Sequence, residues 1–140
     1  MFTRRGYNID SLAVSPTEDE HRSRTTITVD ASRFPVEQIT KQLDKLINVI
    51  KVRDLDPENM VARELGLFKV FTEEASRAEI LALVDIFRGE IVDVTRESMI
   101  IQATGTTAEL ENLEALLRHN GLVEMVRTGV VALGRGGKTT

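Results

Sequence analysis

Residues 64–133, ELGLFKVFTEEASRAEILALVDIFRGEIVDVTRESMIIQATGTTAELENLEALLRHNGLVEMVRTGVVAL, decide the fold. Residues 64–72 set Leu65, Leu67 and Val70 among polar or small residues, the spacing of a strand. Ser76-Arg-Ala-Glu79 has the form of a capping box, in which a hydroxyl and a carboxylate satisfy orphan N–H groups at a helix start. Ile80, Leu83, Val84 and Phe87 follow at i, i+3, i+4 and i+7 and make one apolar helical face. Gly89 is expected at the helix stop, where a positive φ costs glycine least. Ile91-Val-Asp-Val-Thr95 and Met99-Ile-Ile-Gln-Ala103 flank the polar break Arg96-Glu97-Ser98, which predicts an antiparallel hairpin. Thr106-Thr-Ala-Glu109 is a second capping box, Leu110, Leu113 and Leu117 a second stripe, and Gly121 a second stop. Residues 122–133 close as a strand. The order is βαββαβ.

Working outward, residues 1–56 repeat that order with its beginning cut off. Met1–Arg5 is expected to be the last turn of a helix, with Gly6 as its stop. Residues 8–15 (NIDSLAVS) and 24–30 (RTTITVD) predict two strands around the polar loop PTEDEHRS. Pro35 suits a first helical turn, and Val36, Ile39, Leu43 and Leu46 form the stripe after it. Residues 49–55 (VIKVRDL) predict a strand. The fold class is therefore α+β: two tandem ferredoxin-like units, helices on one face of an antiparallel sheet, the first unit lacking its first strand. The expected divisions are a first unit over 1–56, a linker over 57–63, a second unit over 64–133 and a flexible tail over 134–140. A missing strand leaves a sheet edge that invites pairing with another chain.

Composition excludes several functions. The 140 residues are 41% apolar and 29% charged, with a net charge of −4, no cysteine and no tryptophan. That balance argues against a general nucleic-acid binder, which shows a basic stripe. Zero cysteine removes disulfides and thiolate metal sites and suits a reducing compartment. The opening MFTRRGYNID has no apolar signal core, and no apolar run nears the roughly 20 residues of a membrane span. A cytoplasmic protein is expected.

No constellation suggests catalysis. His21 lies in a polar loop and His119 at a helix end, where surface positions are expected; a metal site needs several converging ligands. Glu18-Asp-Glu20 is expected to be a solvated turn rather than an acid–base pair. Residues 132–139 (ALGRGGKT) imitate a phosphate loop, but that loop works only with a helix after it, and here the sequence ends at Thr140. Neither catalytic nor metal residues are assigned. Asn8 and Asp10, beside Ile9, are open to two readings: an Asx turn bonding its own backbone, which is the commoner, or a ligand contact.

Residues 4–18 (RRGYNIDSLAVSPTE) resemble the signature segment of acetolactate synthase small subunits. So do residues 37–46 (EQITKQLDKL), 49–52 (VIKV), 86–95 (IFRGEIVDVT) and 127–136 (RTGVVALGRG). The resemblance covers essentially the whole chain. It implies a non-catalytic regulatory subunit of branched-chain amino-acid biosynthesis whose first half is an ACT domain. It also implies pairing through ACT domains into a homodimer, and valine bound between them. The implied partner is a large catalytic subunit carrying thiamine diphosphate, magnesium and FAD. Carried over position by position, Asn8 and Ile9 match the family's effector motif, and Ser15 occupies its small-residue position at the strand end. The family's first strand and following loop have no counterpart in these residues. A stand-alone ACT-type amino-acid sensor is the alternative; the matching second half speaks against it.

Overall fold

In the computed structural model, residues 9–29, 36–45, 49 and 51–137 are described. The elements run β1 (Ile9–Pro16), β2 (Ser23–Val29), α1 (Val36–Asp44), a 3₁₀ turn (Pro57–Asn59), β3 (Met60–Phe71), α2 (Glu74–Ile86), β4 (Glu90–Val94), β5 (Ser98–Gly105), α3 (Thr107–Arg118), β6 (Leu122–Arg127) and β7 (Val131–Gly134). They divide into two compact units, residues 1–61 with 130–140, and residues 62–129.

The second unit is the predicted βαββαβ fold. Its sheet has the order β4-β5-β3-β6, every pair antiparallel. Phe68 and Val70 of β3, Met99, Ile101 and Ala103 of β5, Ile80 and Val84 of α2, and Leu110, Leu113 and Leu117 of α3 form one buried core. Both predicted helical stripes face it, with Leu83 and Phe87 packed at its margin. The Thr106–Glu109 capping box is present: Glu109 N–H donates to Thr106 Oγ1 at 3.2 Å. The hairpin closes through a Thr95–Ser98 turn in which Thr95 Oγ1 accepts from the N–H groups of Glu97 and Ser98. The Arg77 guanidinium ties α2 to that turn, donating to the carbonyls of Thr95 and Arg96.

Several expectations need correction. Leu65 and Leu67 do not enter the core; the buried side of β3 is Glu64, Gly66, Phe68 and Val70. With apolar residues on both faces, alternation cannot tell which side meets the helices. Helix α2 starts earlier than predicted. Its N-cap is Glu73, and Ser76 stands at N3, accepting from Glu73 N–H at 3.2 Å and donating to Glu73 C=O at 3.0 Å. The positive φ at the helix end belongs to Arg88 (φ 55°), not Gly89. Gly89 N–H still reaches back to the Val84 carbonyl at 2.8 Å. A Cβ at 89 would stand 3.0 Å from the Gln102 carbonyl oxygen, a tight approach that favours glycine. Gly121 does carry the predicted positive φ, 95°.

In the first unit β1 and β2 form an antiparallel pair, from Ile9↔Val29 to Pro16↔Ser23, with a register shift between Ile9 and Ser11. Ile39 of α1 is buried and Leu43 half-buried, as the stripe requires. The predicted strand over 49–55 is absent at Val49 and over 51–55, and Ile50 lies outside the described residues. Strand composition makes a strand only where a ladder neighbour pairs with it. The expected 57–63 linker is instead a 3₁₀ turn running straight into the twelve-residue β3. The predicted strand over 122–133 is broken at 128–130 into β6 and β7. β7 pairs with β3, whose first residues, Met60 and Val61, belong to the same unit. Residues 130–140 therefore group with the first unit rather than with the second or with a separate tail, and Arg135 N–H donates to the Asn59 carbonyl at 2.8 Å. The expected helix end at Met1–Arg5, Gly6, Pro35 and Leu46 lie outside the described residues.

Candidate functional site

The strand carrying the candidate effector residues is set by its alternation. Ile9, Ser11, Ala13 and Ser15 are half-buried, while Leu12 and Val14 are exposed. The turn after it is held by short-range polar bonds. Asp19 N–H donates to Thr17 Oγ1 at 3.1 Å, His21 N–H to Asp19 Oδ1 at 3.0 Å, and Asp19 pairs with Arg22 at 3.4 Å. This is the solvated turn expected over Glu18–Glu20.

Asn8 lies outside the described residues. Ile9 stands opposite Val29 at one end of β1, and Ser15 stands opposite Arg24 at the other. Six steps of strand separate them by about 20 Å at the usual rise. A valine spans only a fraction of that, so within one chain Ile9 and Ser15 cannot touch the same ligand. The strand sets them at opposite ends and does not bring them together. Asp10 is exposed beside the register shift.

Sequence reasoning missed Ser11. Its Oγ accepts from the Val130 N–H at 2.7 Å, tying β1 to the segment that leads into β7. No local pattern marks such a bond, since the partners are 119 positions apart. The other missed feature is a charge network in the second unit. Glu64 is a buried carboxylate on the helix side of β3. It accepts from Arg127 Nε at 2.6 Å, pairs with Arg127 Nη2, and accepts from Thr107 Oγ1 at 3.0 Å. Arg127 reaches Glu114 at 3.8 Å, and Glu114 holds Arg118 at 3.0 Å. A carboxylate taken out of water needs this many donors, because an unpaired buried charge costs several kcal/mol, roughly.

Both histidines are exposed. His21 sits 3.7 Å from Glu20, and His119 lines a shallow cleft of about 490 Å³ with Thr72, Glu73, Ser76 and Glu97. The Thr72 hydroxyl is buried beside that cleft with no hydrogen-bond partner among the described residues. Among the described residues no three His, Cys, Asp or Glu side chains gather to hold a metal ion. None of their helices is long and apolar enough to cross a membrane.

Comparison with known proteins places the two halves separately. Residues 1–51 match the model of the AHAS small subunit-like ACT domain, and residues 63–136 match that of the small subunit of acetolactate synthase. The acetolactate synthase small subunit of Mycobacterium bovis is 48% identical over 136 residues, 97% of this chain and 81% of the relative. That of Mycolicibacterium smegmatis is 48% identical over 136 residues, covering 97% and 80%. The crystal structure of the acetolactate synthase small subunit from Thermotoga maritima superimposes with a TM-score of 0.88 at 44% identity, covering 98% of this chain and 86% of that one.

Proposed function

Because the chain belongs to the family of acetolactate synthase small subunits, we propose that it activates a large catalytic subunit and makes it sensitive to feedback inhibition by valine. The observation that carries this reading is the match of both halves, ACT domain and C-terminal domain, in order along one chain. The membership itself implies a large catalytic partner. Thiamine diphosphate, magnesium and FAD belong to that partner, whose active site performs the reaction in the cytoplasm. This chain supplies regulation for branched-chain amino-acid biosynthesis.

The effector site lies at the Asn8–Ile9 end of β1, where two ACT domains pair in a homodimer. Asn8 supplies polar groups for the amino acid's own carboxylate or ammonium, and Ile9 an apolar wall for its side chain. Ser15, far along the same strand, contributes by allowing close approach at the pairing surface rather than by touching valine. Valine acts only if it binds the inhibited arrangement better than the active one. A coupling of about 1–3 kcal/mol would give an effect of about 5–150-fold.

The test is to mix the chain with a cognate catalytic subunit and follow acetolactate formation with and without valine. Co-elution, stimulation, and a decline on adding valine are expected. Absence of both co-elution and stimulation would remove the subunit reading. Stimulation that valine leaves unchanged would remove the effector assignment alone.

A further inference from the structure

Helix α3 ends in a dipeptide with chemistry of its own. Of the five asparagines in the chain only Asn120 precedes glycine. A following residue without a Cβ leaves its backbone nitrogen open to the asparagine side-chain carbonyl, so this pair closes a five-membered ring more readily than asparagine before a larger residue. Two bonds hold Asn120 at the end of α3. Its N–H donates to the Leu117 carbonyl at 2.9 Å, and its Nδ2 donates to the Leu116 carbonyl at 3.0 Å. Both acceptors belong to the last turn of the helix, and helix ends fray before the rest. Asn120 is half-buried and lines the cleft that His119 and Gly121 also line, so water reaches it.

We propose that Asn120 is a deamidation site, and that its conversion loosens the second unit where α3 meets the end of β3. The Gly121 nitrogen attacks Asn120 Cγ. Its proton passes to solvent, and the side-chain nitrogen leaves as ammonia. Water then opens the resulting succinimide at either carbonyl. One opening leaves aspartate; the other leaves isoaspartate, in which the main chain runs through Cγ. No oxidant or cofactor is consumed.

Both products suit this place badly. Aspartate has no donor for the Leu116 carbonyl, so an acceptor faces an acceptor. Its charge stands at the negative end of the α3 dipole. Glu73 and Glu97 line the same cleft, and the nearby Arg118 already holds Glu114 at 3.0 Å. Isoaspartate adds one backbone atom ahead of Gly121, which is fixed on two sides. The Gly121 carbonyl accepts from the Phe71 N–H at 2.9 Å, and its Cα lies so near the Phe71 carbonyl that a Cβ would collide. The chain then enters β6, whose Leu122 stands opposite Val70. A lengthened link gives up either the Phe71 contacts or that register.

The test uses the unmodified chain, aged at mildly alkaline pH and physiological temperature. Peptide mapping by mass spectrometry follows amide-to-acid conversion, and a protein isoaspartate methyltransferase reports the isoaspartate product. Conversion should concentrate in the peptide holding Asn120, with Asn59 and Asn112 unchanged. Asn120→Gln, whose ring would be six-membered, should keep its starting mass. Aged and fresh forms are then separated by charge, and amide exchange is read on each. The Phe71 N–H should exchange at least about tenfold faster in the aged form, while the Glu64–Gly105 end of the β3–β5 ladder keeps its rate. An aged chain with Asn120 intact, or with conversion spread evenly over the asparagines, would overturn the site. Equal Phe71 exchange in the two forms would overturn the loosening.

Discussion

At the scale of single residues, backbone and charge make separable demands. Gly121 combines a positive φ with a site where a Cβ would collide with the Phe71 carbonyl oxygen. Gly121→Ala should cost about 1–2 kcal/mol for the left-handed backbone alone, and more for the collision, read as a lowered urea midpoint. Arg88 is the converse. It occupies a left-handed conformation (φ 55°) that glycine adopts freely. Arg88→Gly should therefore raise stability slightly, by about 1 kcal/mol or less in the same titration. Glu64 is tied to Arg127 and Thr107 in a buried network. Arg127→Met strands its carboxylate and should cost about 3–5 kcal/mol, while Glu64→Leu/Arg127→Met should recover most of that loss. Unfolding free energies of the single and double variants decide whether the pair is coupled this way.

At the scale of elements, the helices of the second unit are legible because their signals are local. The capping box at Thr106–Glu109 and the stripe of Leu110, Leu113 and Leu117 lie within a few residues of one another, and both appear in α3 as predicted. Thr106→Ala removes the acceptor for the Glu109 N–H and should cost about 1 kcal/mol. Thermal unfolding would register that loss, and Thr106→Ser should recover it. The strands are less legible. β3 carries Leu65 and Leu67 on one face and Phe68 and Val70 on the other, so period-two alternation supports either face. The strand expected over 49–55 had the right composition; no pairing is present at its described residues, and composition does not reveal pairing.

At the scale of the whole molecule, the chain passes between its two units twice, within β3 and again after Gly129. The Ser11–Val130 bond fastens the second passage to β1 in the first unit. Ser11→Ala should leave the part-buried Val130 N–H without its acceptor, at about 1–3 kcal/mol of local stability. Amide exchange at Val130 should then accelerate, while exchange in the Phe68–Ile101 ladder stays unchanged. A uniform acceleration everywhere would mean the bond matters to global folding instead. The candidate site divides along the same line. The βαββαβ order of the second unit, the Thr106 cap, the helix stripes, the strand that sets Ile9 apart from Ser15, and the family motif from Asn8 to Ser15 are determined by the sequence itself. They depend on spacings of a few residues or on a motif unbroken along the chain. The buried face of β3, the partners of Glu64 and Ser11, and the assignment of residues 130–140 to the first unit were decided only by tertiary structure. Each depends on which strands and side chains meet across 20 to more than 100 positions, and pairing at that range leaves no periodic trace in the sequence.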